Sequence, residues 1–358
     1  MTFEEARAQF PVLERLAYLN TGTNGPLSRA TAEAMAAQGR IDLEEGRGGH
    51  AYFETALALR DEVRAKLAAF VNVAPENLTL ATSTTNGCNM VIAGLGLGPE
   101  DEVVTTDGEH FGLLGALAVS QVRLRLARVR ELPPEQAFDA LLAEVTPKTR
   151  LLALSHVCWM TGNRFPVAEL KEATGLPILI DGAQSVGALS VDASGFDYYA
   201  FSCQKWLCGP DSMGGLALAD PDSLPLTAPS YFAQASHDEE GAFELRSGAS
   251  RFDPGWTPPA ALAGLAAALD GRPDWAFARA AETTAQCREL LAERVEVVTA
   301  GEPATLLTFR VESDSAELVK RLYDEGIVVR DIPGQGLIRV SCGWWTSEDD
   351  LQRLLAAL

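Results

Sequence analysis

Apolar positions along this chain recur first with helical spacing and then as short runs between helices. Two helices are expected over Ala30–Glu45 and Tyr52–Phe70, broken by Arg47-Gly48-Gly49-His50. From about residue 78 to 220 the runs alternate with helical stretches. Strands are expected at Asn77–Thr82, Asp101–Thr106, the polar-apolar alternation Val122–Val129, Arg150–Val157 and Pro177–Asp181. Helices are expected at Cys88–Leu95, Phe111–Ser120, Gln136–Glu144 and Val167–Thr174. That order predicts an α/β fold, a mostly parallel sheet with helices on both faces. Residues 221–260 are rich in Pro, Ser and Gly, show no clear period, and read as excursions and a linker. After a helix at Pro259–Leu269 the style changes. Strands at Thr305–Arg310 and Gly336–Ser341 flank a helix at Ala316–Glu325, and a helix at Ser347–Leu358 comes last, which together make a small α+β unit.

Composition narrows the class of protein. With 358 residues, 47% hydrophobic and 22% charged, the chain can bury a large core and suits one large and one small domain. Its 29 basic and 49 acidic side chains leave a net charge of −20, which argues against nucleic acid or an anionic membrane as partner. The six cysteines (Cys88, Cys158, Cys203, Cys208, Cys287 and Cys342) show no CxxC spacing, so reduced thiols are expected and no metal site. The acidic start Met1–Arg7 lacks a signal-peptide pattern, and no apolar run approaches a membrane span. A cytoplasmic protein is expected.

Candidate chemistry centres on Tyr199–Pro210, where Lys205 falls between an aromatic apolar run and a Gly-Pro turn. A lysine pinned at the exit of a buried strand can lose its proton by desolvation and attack an aldehyde. Position alone leaves a packing role equally open. Ser83-Thr84-Thr85-Asn86-Gly87 lies at a strand-to-helix junction and can hold a phosphate or merely cap the helix. Asp181 ends an apolar strand, where ligands gather in open α/β sheets; it can pair with a protonated pyridine nitrogen or cap the next segment. His110 comes after another strand end and can lie on an aromatic cofactor or be a surface histidine. Arg339, within Leu337-Ile338-Arg339-Val340-Ser341, suits a substrate carboxylate or an internal ion pair.

Taken in order, Ser83-Thr84-Thr85, His110, Asp181-Gly182-Ala183-Gln184, Ser202-x-x-Lys205 and Arg339-Val340-Ser341 resemble the class V aminotransferase family. These are fold type I enzymes that use pyridoxal 5'-phosphate (PLP), and they include cysteine desulfurases, C–S lyases and isopenicillin N epimerase-like enzymes. The resemblance implies a large domain with a mostly parallel, seven-stranded-type sheet and a small C-terminal α+β domain. Its segments would be an N-terminal segment and active-site loop (1–30), the PLP domain (31–258) and the small domain (259–358). It implies PLP held as a covalent aldimine on Lys205, which then moves the Cα proton, with His110 stacked on the ring and Asp181 on its nitrogen. Ser83, Thr84, Thr85, Ser202 and, at a neighbour's site, Thr257 would hold the phosphate, and Gln184 would face the phenolic oxygen. Arg339, Trp159 and Asn24 would meet the substrate. A homodimer with shared active sites, acting on a small amino acid, is implied as well.

Three departures bear on the reaction. The stretch 330–338, read as a loop, carries no cysteine where desulfurases keep their sulfur-accepting thiol. Gln204 stands where desulfurases have a histidine, and Trp159 where they have an asparagine. β-Elimination needs a base, an electron sink and a leaving group, and no protein thiol. A C–S lyase acting on cysteine or a cysteine conjugate, yielding pyruvate, ammonia and a thiol or persulfide, is therefore the leading expectation. An aminotransferase, an epimerase, a desulfurase with another acceptor and a non-catalytic relative are the alternatives.

Overall fold

The computed structural model describes all 358 residues. A short helix α1 (Phe3–Arg7) precedes β1 (Ala17–Tyr18), then α2 (Arg29–Glu44) and α3 (His50–Phe70). The large unit comes next as β2 (Leu78–Ala81), α4 (Thr84–Leu95), β3 (Glu102–Thr106), α5 (Phe111–Val119), β4 (Arg123–Ala127), α6 (Pro134–Ala143) and β5 (Thr149–Ser155). It continues through α7 (Val167–Thr174), β6 (Ile178–Asp181), β7 (Tyr198–Ser202) and β8 (Gly214–Leu218). The sheet order is β2-β8-β7-β6-β5-β3-β4; β8 runs antiparallel to both its neighbours and every other pair is parallel.

Alternate residues of each central strand supply two cores, as a sheet covered on both faces requires. Leu152, Leu154, Ile180, Tyr199 and Phe201 face the helices α3, α6, α7 and α8, whereas Leu151, Ala153, Leu179 and Ala200 face α4 and α5. Helix α8 (Pro259–Asp270) packs on α2 and α3. Gly87 lets α4 lie close on the sheet, because a methyl there would stand 2.9 Å from the Ala200 Cβ. Within this sheet only β4, at one edge, is largely exposed; β2, at the other, is buried.

The expected strands and most helices are present; β1, β8 and the short strand Ile327–Val328 are additional, and other differences bear on the site or the packing. Helix α4 begins at Thr84 rather than Cys88, because Ser83 Oγ caps it by accepting from the Asn86 amide (3.1 Å). Within 221–260, β9 (Gln234–His237) and β10 (Phe243–Leu245) form an exposed antiparallel hairpin. Helix α9 (Ala276–Ala292) has no counterpart among the expected helices, since small residues such as Ala280, Thr283 and Thr284 make much of its buried stripe. The stretch 330–338 is not a loop throughout.

There, after β11 (Leu306–Arg310), α10 (Ser315–Asp324) and β12 (Ile327–Val328), the chain forms β13 (Arg330–Ile332), turns, and returns as β14 (Leu337–Ser341) before α11 (Glu348–Ala357). The three-stranded sheet β11-β14-β13 is antiparallel and sets Arg330 opposite Arg339. β1 joins this end of the molecule by pairing in parallel with β12. The core here draws Leu19, Leu291, Phe309, Val340 and Leu354 from both ends of the chain.

Candidate active site

The carboxyl ends of β2, β3, β5, β6 and β7 open onto one cavity, and the far wall comes from the β13–β14 pair and the N-terminal loop. Ten of the expected residues line it: Ser83, Thr84, Thr85, His110, Trp159, Asp181, Gln184, Ser202, Lys205 and Arg339. Two do not. Asn24 is exposed, with its carbonyl accepting from Tyr18 Oη (2.9 Å), and Thr257 lies beside Trp256, which stacks on Phe232.

Lys205 lies three residues past β7 and makes no hydrogen bond or ion pair through its amine. Burial brings the amine down to about 8, against the opposing pull of Asp181, and Arg339 and Arg330 push the same way as burial. Asp181 is also buried. Its Oδ1 accepts from the Ala183 amide (2.9 Å), no cation pairs with it, and burial raises its carboxyl above the usual range. Nδ1 of His110 accepts from the Gly112 amide (3.0 Å) and caps α5. That leaves the ring proton on Nε2. Burial and the charge of Lys205 lower this histidine's pKa, so the ring is neutral at neutral pH.

At the start of α4 the hydroxyls of Thr84 and Ser202 are buried without a partner, next to free helix-end amides. A buried hydroxyl left unpaired is costly, and these two converge where a helix N-terminus favours an anion. The donor set fits the phosphate of PLP. An amine depressed by burial and an uncompensated carboxylate fit its aldehyde and its pyridinium nitrogen.

Arg339 has no carboxylate partner, although it is only 2% exposed. It donates to the Trp159 carbonyl (3.0 Å) and to Thr23 Oγ1 (3.0 Å), and its Nε has no partner. Burial, with Arg330 nearby, lowers its pKa to about 9, which leaves it charged at neutral pH. Arg330, directly across the strand pair, also lines the cavity and is likewise without an acid. Like charges set opposite one another are unfavourable unless an anion joins them.

Local sequence patterns do not reveal Arg330 or Thr23, because their place here depends on strand pairing and loop docking. Glu109, next to His110 in the chain, carries no local signal of a role either. It is buried behind the strand ends and accepts from Thr106 Oγ1 (2.6 Å) and from the Ser155 amide and hydroxyl (2.9 and 2.6 Å). Burial pushes its carboxyl up to about 7 against the pull of those hydrogen bonds. Gln184 is more committed than expected: Nε2 donates to the Gly22 carbonyl (2.8 Å) and Oε1 accepts from Trp206 Nε1 (2.9 Å). Trp159 meets His110 edge-on, with ring centres 5.4 Å apart.

The sequence model of the family described as Aminotransferase class-V matches residues 26–354. Isopenicillin N epimerase of Streptomyces clavuligerus is 31% identical over 99% of this chain and 97% of its own length. A probable cysteine desulfurase of Pseudomonas aeruginosa is 30% identical over 98% and 96%. Among solved structures, the cystine C–S lyase C-DES in complex with its reaction product cysteine persulfide superposes with a TM-score of 0.91. It shares 29% identity over 97% of this chain and 98% of that one. A mutant of C-DES with glycine covalently linked to its PLP cofactor also matches, with a TM-score of 0.91. The architecture is that of fold type I PLP enzymes.

Proposed function

The chain belongs to the class V aminotransferase family of PLP-dependent enzymes, and from that premise we propose that it is a C–S lyase for cysteine derivatives bearing a second carboxylate, cystine being the simplest. The observation that carries this reading is the Arg330–Arg339 pair, two guanidiniums facing one cavity with no acid to neutralise them. One suits the α-carboxylate and the other a distal carboxylate. The likeness to a lyase of cystine supports the same choice. No cysteine lines the cavity, and all six are buried, so the site offers no thiol to accept sulfur.

PLP, when bound, withdraws electrons from the substrate's Cα and acidifies its proton. Lys205 Nζ, with its amine near 8, takes that proton and later returns one. Asp181 would keep a positive charge on the ring nitrogen, and Thr84, Ser202 and the α4 amides would hold the phosphate. Arg339 would fix the α-carboxylate in the same cavity as Lys205. Loss of the proton and departure of the β-sulfur convert cystine and one water into pyruvate, ammonia and cysteine persulfide. No oxidant is required.

The test compares L-cystine with S-methyl-L-cysteine, which has one carboxylate. For the Arg330→Gln enzyme, kcat/KM on cystine should fall about tenfold to a hundredfold, as expected for one lost charged hydrogen bond. On S-methylcysteine it should stay within about twofold. Equal losses on both substrates would end the two-carboxylate reading, and alanine in place of pyruvate would end the lyase reading. Epimerisation is the second reading, favoured by the 31% identity to isopenicillin N epimerase over nearly the whole chain. It requires inversion of Cα without release of pyruvate.

The reading also includes a homodimer in the cytoplasm. Tyr231, Phe53 and Trp256 gather exposed apolar surface beside Thr257, and all six thiols are unpaired. Sedimentation should give twice the chain mass, with Thr257→Ala weakening PLP binding. A monomer with full activity would remove the shared site.

A further inference from the structure

Two arginines facing each other without an acid need something to hold them. The groups that do so come from the N-terminal loop, some 300 residues away in sequence. Thr23 Oγ1 accepts from Arg339 Nη2 (3.0 Å) and Arg330 Nη1 (3.3 Å), and its own proton goes to Asn20 Oδ1 (2.8 Å). The hydroxyl is thus saturated, and its oxygen is the one atom that both guanidiniums share. The Arg339 Nε is buried and left without a partner, so the guanidinium keeps donor capacity beyond its bond to Thr23.

The loop itself is tied down on two sides. Toward β14, the Gly22 amide donates to Ser341 Oγ (3.2 Å), and Asn20 bridges to Ser341. Toward the lysine, Gln184 donates to the Gly22 carbonyl, and the Gly25 amide donates to the Gln204 carbonyl (2.7 Å). A methyl on Gly22 would sit 3.0 Å from Arg339 Nη2 and from Ser341 Oγ, so a side chain there would push on the arginine. A loop serving only as a connector has no need of such fastening.

We infer that Thr23 is a positioning residue, which holds Arg330 and Arg339 side by side at the spacing that a substrate with two carboxylates requires. The inference rests on the two-carboxylate reading for its ligand class. It brings into the site a residue from the opposite end of the chain. Without the hydroxyl, the two like charges lose their common acceptor and move apart, and anion affinity falls even though both arginines remain.

The test is calorimetric titration of the PLP-loaded enzyme with two inert probes. Suberate spaces its two carboxyls by the same number of chain atoms as cystine, and octanoate has the same length with one carboxyl. Thr23→Val should weaken suberate binding roughly tenfold, the scale of one charge-assisted hydrogen bond, and octanoate binding less. Thr23→Ser should restore both to within about twofold, and the visible spectrum of bound PLP should be unchanged in either variant. Unaltered suberate binding in Thr23→Val would overturn the inference, as would a loss that serine fails to rescue. If the parent enzyme binds suberate no better than octanoate, the two-carboxylate reading fails. A serine-rescued loss of octanoate binding would even then sustain the positioning role. Should the valine variant not fold, Asn20→Ala leaves the hydroxyl in place but removes its acceptor, together with the longer contact of Asn20 Oδ1 to Arg339 Nη2 (3.4 Å). It should weaken suberate binding in the same direction by about threefold, and no change would overturn the inference.

Discussion

Lys205→Ala should retain less than about a thousandth of the parent turnover on any substrate, at the upper end of what removing one proton-transfer group costs. No other amine and no thiol lines the cavity, so nothing else there can form the covalent bond to the cofactor. The same lysine sets a pH signature measurable without substrate. An amine near 8 is protonated, and therefore not nucleophilic, below that pH. Uptake of PLP by the cofactor-free protein should therefore speed up about tenfold per pH unit from pH 6 to near pH 8, then level off. Uptake that keeps rising through pH 9.5, as an ordinary surface lysine would give, would refute the assignment. So would an alanine variant with substantial turnover.

Asp181→Asn should lower kcat on the order of a hundredfold or more, the scale of removing one group that stabilises developing charge. Asparagine preserves the shape and the contact to the Ala183 amide, but it cannot balance a positive ring nitrogen. The cofactor-free variant should be at least as stable as the parent at neutral pH. The raised carboxyl sets the sign: the folded chain holds that proton more tightly than the unfolded chain does. Ionisation above the unfolded value therefore works against folding, and asparagine removes that cost. Lower activity with undiminished thermal stability marks a functional acid. Lost stability together with lost activity would reduce Asp181 to a structural cap.

How far the molecule is legible in its sequence depends on how local each signal is. The buried runs at Arg150–Val157 and Pro177–Asp181 mark strands, and Ser83, His110, Asp181 and Lys205 stand out because each lies at or just past the end of such a run. These residues meet because parallel strands present their carboxyl ends together. Arg339 is visible as a charge in an apolar run, but its opposite number is not. Arg330 acquires its meaning only from the β13–β14 register, which the glycines at 334 and 336 disguise as a loop. Thr23 lies in the turn-rich stretch Asn20–Pro26, where no local pattern sets it apart, and α9 in a run of alanines and threonines without a strong apolar stripe. The illegible parts lie at long sequence separation or in surfaces built from small side chains.

The pairing of Ala17–Tyr18 with Ile327–Val328 has a consequence for the order of events during synthesis. At translation rates of roughly 5 to 20 residues per second, the first segment emerges from the ribosome roughly 15 to 60 seconds before its partner strand. Through that interval the nascent chain can assemble the cofactor end of the cavity from residues 78–218. The carboxylate end must wait for Arg330, Arg339 and the docking of the loop that carries Thr23. The pocket is thus completed from its cofactor side outward, and selectivity for the substrate is the last property the newborn chain acquires.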